Sequence, residues 1–136
     1  MSELVSVTFN KIMQSKAYTV IILGTEKKRF AIYTEAQVGR NIQAYLTEEN
    51  RPRPLTHELI DALLRGLNIK LLQIVITDIE ETVYFARIFF EQKIGDEVHI
   101  LEIDARPSDC ITLALMHNAP VFCRKEILEK AVPLEE

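Results

Sequence analysis

The residue types best suited to chemistry lie in one short segment, Asp104-Ala105-Arg106-Pro107-Ser108-Asp109. It holds two carboxylates and a guanidinium where a predicted strand meets a predicted helix. Backbone N–H groups at a helix N-terminus attract phosphate, and paired carboxylates suit Mg²⁺ or Mn²⁺, which prefer oxygen ligands. A structural interpretation is equally complete, because Ser108 can cap the helix, Asp109 can face its dipole and Arg106 can pair with Asp104. The segment is therefore either an anion or metal site or a well-capped junction.

A second polar segment, Arg51-Pro52-Arg53-Pro54-Leu55-Thr56-His57, precedes another predicted helix, with Thr56 as its N-cap. Prolines stiffen a loop, so its arginines lose less conformational entropy when they bind a phosphate. His57, in the first helical turn, is suited to proton transfer. The alternative is a rigid loop, a capped helix and an exposed histidine.

Other reactive residues give weaker signals. Asp78 ends a predicted strand and is either a turn residue or a third carboxylate near Asp104, if their strands are neighbours. Cys110 and Cys123 have no Cys or His partner at a zinc-binding spacing, so both are predicted to be reduced, buried and apolar. No phosphate-binding glycine loop, dinucleotide fingerprint or serine-hydrolase elbow is present, so these enzyme classes have no support.

Size and charge narrow the class of protein. The chain has 136 residues, which predicts one domain over 1–136. No apolar run approaches the roughly 20 residues of a membrane helix, and the N-terminal residues lack a signal-peptide pattern, so the expected location is the cytoplasm. The net charge of −4 disfavours non-specific nucleic-acid binding. It is uneven, however, because residues 1–70 carry +3 and residues 71–136 carry −7. Basic residues of the first half therefore offer a local phosphate-facing patch.

Hydrophobic patterns place these motifs on an internally duplicated fold. Predicted strands span 5–9, 18–23, 29–33, 71–77, 83–90, 98–103 and 121–123, and predicted helices span 36–46, 56–67, 109–116 and 125–131. Each half runs strand, strand, strand, helix, and one unit of about 50 residues buries too little surface to fold alone. We therefore expect an α+β fold in which duplicated β-β-β-α units share one curved, largely antiparallel sheet with helices packed on it.

The motifs resemble those of the bifunctional nuclease family. The matching blocks are Arg53-Pro54-Leu55-Thr56-His57, then Asp78 with Tyr84-Phe85-Ala86, then 102–109 with the Ile-, Leu- and Ala-rich helix after it. They occur in the family's order, and the resemblance covers about residues 5–132. It implies a duplicated α+β fold, hydrolysis of DNA and RNA, and nucleic acid as the partner.

One segment departs from the family pattern. Members usually carry Pro-Ile-Trp-Ile-Gly-Pro-x-Glu-Ala after the third strand, whereas this chain has residues 31–40, Ala-Ile-Tyr-Thr-Glu-Ala-Gln-Val-Gly-Arg. Tyr33 stands where Trp is usual, and either Glu35 or Val38 takes the place of the glutamate. If the segment lines a substrate groove, the departure affects specificity or activity.

The first hypothesis is a nuclease assisted by Mg²⁺ or Mn²⁺. Its catalytic residues are Asp104, Arg106, Asp109 and His57, its substrate-binding residues are Arg51, Arg53, Thr56 and Ser108, and its metal ligands are Asp104, Asp109 and Asp78. The second is a non-catalytic module that binds an anion, a nucleotide or a protein. The third is an oligomer whose motifs are structural, in which Arg106→Ala strongly lowers the melting temperature. A homo-oligomer is expected in any case, because an exposed sheet edge favours self-association.

Overall fold

The computed structural model describes residues 3–48 and 50–134 of the chain. Their helices and strands follow in the order β1 (Leu4–Gln14), β2 (Tyr18–Gly24), β3 (Arg29–Glu35), α1 (Ala36–Leu46), α2 (Thr56–Gly66), β4 (Ile69–Glu80), β5 (Val83–Ile94), β6 (Glu97–Ala105), α3 (Pro107–His117), β7 (Val121–Arg124) and α4 (Lys125–Lys130). Every helix in these two ranges is too short or too polar to span a lipid bilayer.

The strands form one sheet in the order β3-β2-β1-β7-β4-β5-β6. All neighbouring pairs are antiparallel except β4 and β7. The two three-stranded units therefore lie on opposite sides of β7, and each leads into a helix. Four strands separate β3 from β5, yet the ring centroids of Phe30 and Tyr84 are only 5.4 Å apart. The sheet is thus strongly curved, and the predicted α+β fold is confirmed.

One hydrophobic core joins the two units. Its most buried side chains come from β2 and β3, from β4, and from α3: Ile21, Leu23, Phe30, Ile74, Ile76 and Ile111. Burying each such side chain contributes about 1.5–3 kcal/mol, so both units depend on the shared core. Helix α3 packs against β3, β4, β5, α1 and α2. This central position fixes the start of α3, where the candidate site lies.

The start of α3 differs from the prediction. Ser108 is not its N-cap, because the helix already begins at Pro107 and Arg106 is the extended residue before it, with φ −65° and ψ 141°. Proline excludes the helical conformation from the residue that precedes it and is itself favoured at the first helical position. Ser108 is therefore a buried residue of the first turn, and its carbonyl accepts a hydrogen bond from Thr112 Oγ1 at 2.7 Å.

The start of α2 also lies one residue from its predicted position. Thr56 is the first helical residue rather than the N-cap, and Leu55 is the extended residue before it. The side chain that satisfies this helix end is Glu58, whose Oε1 accepts a hydrogen bond from the Leu55 backbone N–H at 2.8 Å. The carboxylate of the first turn therefore takes the capping role that the sequence had indicated for Thr56.

Candidate functional site at the meeting of two strand–helix junctions

The duplication brings two equivalent strand–helix junctions together. Glu35 ends β3 and precedes α1, and Arg106 follows β6 and precedes α3, so the two residues hold matching positions in the two units. Arg106 Nη1 donates a hydrogen bond to Glu35 Oε1 at 2.6 Å. An ion pair thus joins residues that are far apart in sequence but related by the internal repeat.

Arg106 is also bound by a carboxylate of its own helix. Its Nε donates to Asp109 Oδ2 at 3.1 Å, and its Nη2 lies 3.5 Å from Asp109 Oδ1. The hydrogen bonds that the guanidinium donates to Asp109 first, and to Glu35 second, raise its pKa further above the usual range. The Arg106 side chain is nevertheless 58% exposed. It is therefore a permanent cation, held in one orientation and open to solvent.

His57 holds the other side of Asp109. Its Nε2 lies 2.9 Å from Asp109 Oδ1. Because a carboxylate only accepts hydrogen bonds, Nε2 carries the proton and donates. The residue is only 8% exposed, and within the described ranges its buried Nδ1 has no hydrogen-bond partner. The alternative of an exposed histidine is therefore wrong, and the geometry makes His57 a residue that positions Asp109.

A cleft of about 720 Å³ opens beside Arg106. It lies between β3, the turn that joins β4 to β5, and the start of α3, and its walls include Tyr33, Glu35, Val83, Tyr84, Arg106 and Ser108. Half of these side chains are apolar or aromatic, and the two charged ones, Glu35 and Arg106, are bonded to each other at one place on the wall. The cleft can accept an anionic group at that place and a flat or apolar group beside it.

Two predicted site carboxylates lie elsewhere. Asp104 Oδ1 is 4.0 Å from Arg87 Nη1, and Asp78 Oδ1 is 3.9 Å from Arg124 Nη1. The expectation that β4 and β6 are neighbours is wrong, because β5 lies between them. The alternative pairing of Arg106 with Asp104 is also wrong, since Glu35 and Asp109 take that role.

The three carboxylates predicted to bind Mg²⁺ or Mn²⁺ therefore have separate partners. Across residues 3–48 and 50–134, no three His, Cys, Asp or Glu side chains are grouped so as to hold a metal ion. The arrangement does not fit a site shared by Asp104, Asp109 and Asp78. A divalent cation stays a prediction.

The loop before α2 uses Arg51 for structure. Its Nε and Nη2 bind the two Glu58 oxygens at 2.9 and 2.5 Å, and its Nη1 donates to the Ala44 carbonyl at 3.3 Å. The hydrogen bond from Arg51, followed by the one from the Leu55 N–H, lowers the pKa of Glu58 to about 2. Arg51 thereby ties α1 to α2.

Arg53 and Thr56 lie on the exposed surface of the same region. Arg53 Nε donates to the Pro52 carbonyl at 2.7 Å. The structure thus brings together His57, Arg106, Asp109 and the cleft-lining Ser108, and it places the remaining predicted site residues outside this group.

Glu35 belongs to the cluster but is absent from the predicted site residues. The signal that identifies it is the internal repeat, because aligning the two units at the residue before each helix pairs Glu35 with Arg106. In a duplicated fold, residues of opposite charge at equivalent junctions are thus candidates for an ion pair between the two units.

The two cysteines lie in the core. Both are buried and free, as predicted. Burial raises the pKa of the Cys110 thiol to about 12 and that of Cys123 to about 11. Both thiols are therefore protonated at neutral pH, which removes the thiolate that a nucleophile or metal ligand requires.

Comparison with known proteins gives a family and two relatives. The model described as "Bifunctional nuclease domain" matches residues 20–135. Two proteins of Mycobacterium tuberculosis, from strains CDC 1551 / Oshkosh and ATCC 25618 / H37Rv, are each 30% identical to the chain over 103 residues. The match covers 73% of this chain but 58% of each relative, so the chain spans less than two thirds of their length. Both relatives carry the name "uncharacterized protein", so the match shows sequence similarity and does not indicate an activity.

Proposed function

This chain belongs to the bifunctional nuclease domain family, and from that premise we propose that it hydrolyses phosphodiester bonds of DNA or RNA in the cleft beside Arg106. The observation that supports this proposal is the placement of Arg106. An exposed guanidinium stands on the cleft wall and is oriented from two sides by Glu35 and Asp109. Guanidinium groups bind phosphate through paired N–H donors, which suits this position.

The hydrogen bonds of Arg106 leave donors for a substrate. A guanidinium has five N–H groups, and the bonds to Glu35 and Asp109 use three of them. One N–H group on each Nη therefore remains for two non-bridging phosphate oxygens. In the transition state these oxygens gain negative charge, and a pre-oriented cation stabilises that charge more than it stabilises the bound substrate.

Glu35 is the candidate to accept a proton from the attacking water. Its side chain is exposed on the cleft wall, and its Oε1 already contacts Arg106. As the water oxygen bonds to phosphorus, one of its protons passes to the Glu35 carboxylate, and the P–O bond to the sugar oxygen breaks; the sugar oxygen takes up a proton from solvent water and leaves as a hydroxyl group. This mechanism assigns no role to Mg²⁺ or Mn²⁺, because the predicted ligands do not share a site. The assay below measures metal dependence independently.

The test compares two carboxylates of the same motif. Asp109→Asn removes a charge that orients Arg106, whereas Asp104→Asn removes a similar charge that pairs with Arg87. We expect cleavage of single-stranded DNA, double-stranded DNA or RNA to fall for Asp109→Asn and for Glu35→Gln, and to persist for Asp104→Asn. Each substrate is tested with Mg²⁺, with Mn²⁺ and with EDTA.

The other outcomes separate the hypotheses. Loss of cleavage in Asp104→Asn, together with loss in EDTA, would favour the metal site that the sequence predicted. Equal traces of cleavage in every variant would indicate a contaminating nuclease and would refute the proposal.

A non-catalytic binding module is the second candidate. It is favoured by the charge of the cluster, in which two carboxylates outnumber the single guanidinium, because the net negative charge repels a polyanionic nucleic acid more than it repels a mononucleotide or another small anion. Titration of the protein with a labelled oligonucleotide and with a mononucleotide distinguishes the two functions. Binding that Arg106→Ala abolishes, without any turnover, would support the module over the nuclease.

A further inference from the structure

The last strand of the sheet, β6, has an unprotected edge. It pairs with β5 along its whole length from Glu97 to Ala105, and no strand in the described part of the chain lies on its other side. Free sheet edges are usually protected by charged side chains, lysine above all, or by proline, a bulge or a covering segment. β6 contains no Lys, Arg or Pro, and its pairing with β5 has no irregularity. Its outer N–H and C=O groups are thus available to another strand.

β6 also exposes large apolar side chains on both of its faces. Val98 and Ile100 point to one face, and Leu101 and Ile103 point to the other. The four side chains are between 44% and 57% exposed. An added strand would cover them only if it carried apolar residues on both faces as well. β6 itself has apolar residues on both faces, so a second copy of β6 meets this requirement.

The carboxylates of β6 do not prevent self-pairing. Glu102 lies 2.9 Å from Arg87 and Asp104 lies 4.0 Å from it, so this guanidinium offsets one of their two negative charges within one copy. Two β6 strands related by a two-fold axis through Leu101 pair antiparallel. In that register each carboxylate is opposite an uncharged residue: Glu102 opposite Ile100, Asp104 opposite Val98, and Glu97 opposite Ala105. An axis through Glu102 would instead place that carboxylate against its own copy.

We propose that β6 is a homodimer interface, in which it pairs antiparallel with β6 of a second copy and joins two seven-stranded sheets into one. A two-fold interface must be self-complementary, and the apolar faces and the charge register of β6 meet that condition. The inference goes beyond the proposed function and does not depend on catalysis.

The test is the mass of the protein in solution. Sedimentation equilibrium of the full chain should give twice the 15.6 kDa of one copy. Leu101→Lys places two ammonium groups at the two-fold axis, and we expect a monomer, or a dissociation constant raised by at least about 100-fold. Met13→Lys is the matched control, because Met13 is 53% exposed on β1, which is separated from β6 by three strands of the sheet. It should leave the dimer intact.

A cross-link tests the register directly and does not depend on how well a lysine variant folds. Leu101→Cys should form a disulfide between copies under mild oxidation, whereas Met13→Cys should not. The two native cysteines are fully buried and do not compete. A monomeric wild-type protein at high concentration, a Leu101→Lys variant that remains a dimer, or equal cross-linking at positions 101 and 13 would each refute the proposal.

Discussion

Replacement of Arg106 by alanine tests whether its guanidinium serves function or only the stability of the fold. Arg106 forms ion pairs with Glu35 and Asp109, but its side chain is 58% exposed, so water screens both contacts. Exposed ion pairs contribute about 0–1 kcal/mol each, and we therefore expect Arg106→Ala to lower the free energy of unfolding by only about 1 kcal/mol. For a chain of 136 residues this corresponds to a fall in melting temperature of about 3–5 °C.

The expected effect of Arg106→Ala on cleavage is much larger. Removing one donor that stabilises transition-state charge typically lowers kcat by about 10²–10³-fold. Arg106→Lys keeps the charge but loses the paired donors, so it should restore only a small part of the activity. A large loss of activity with a small loss of stability is thus the signature of a phosphate-binding residue.

The assay measures melting temperature and oligonucleotide cleavage on the same protein samples. Arg87→Ala is the matched control, because Arg87 also pairs with two carboxylates but lies on β5, away from the walls of the cleft. It should lose similar stability and keep its activity. A fall of about 10 °C or more for Arg106→Ala would support the structural hypothesis. Unchanged cleavage would refute the assignment of Arg106 to the phosphate.

Three further predictions concern stability and reactivity. Gly39→Ala should destabilise the protein by about 2 kcal/mol in urea unfolding, because a Cβ at that position would lie 2.3 Å from a buried threonine hydroxyl. Gly66 has open space around it, so Gly66→Ala should be neutral or stabilising. Equal effects of the two substitutions would contradict this packing. The pKa of Glu58, lowered to about 2, means that its ion pair stabilises the fold above about pH 4.5 and is lost as the pH falls toward 2. Glu58→Gln should therefore cost about 1–2 kcal/mol at pH 7 and little near pH 2, and a pH-independent difference would argue against the pair. Cys110 and Cys123, buried and protonated, should react with a thiol reagent only on unfolding, so rapid labelling of the native protein would show that they are accessible.

The sequence alone determined the features that depend on local patterns. Apolar alternation identified the strands, and helical spacing identified α1 and α2, because these periods decide which face of an element is buried. The repeated order of elements predicted a duplicated α+β fold with one shared core, which the strand order confirms. The sequence also contained the signal for the start of α3, because Pro107 disfavours a helical conformation at Arg106. The prediction instead followed the preference of serine for N-cap positions and placed the cap at Ser108.

The composition of the site was decided by the tertiary structure. Spacing within one segment grouped Asp104 with Asp109, yet Asp104 lies on a strand and pairs with Arg87, whereas Asp109 lies in the first turn of a helix and contacts His57. Neighbours in sequence diverge where a strand ends, because side-chain direction changes with the backbone. The contact between Arg106 and Glu35 depends on how two units close around one core. Only the assembled sheet and helices bring such distant residues into contact, because the internal repeat gives them matching positions but does not fix the distance between them.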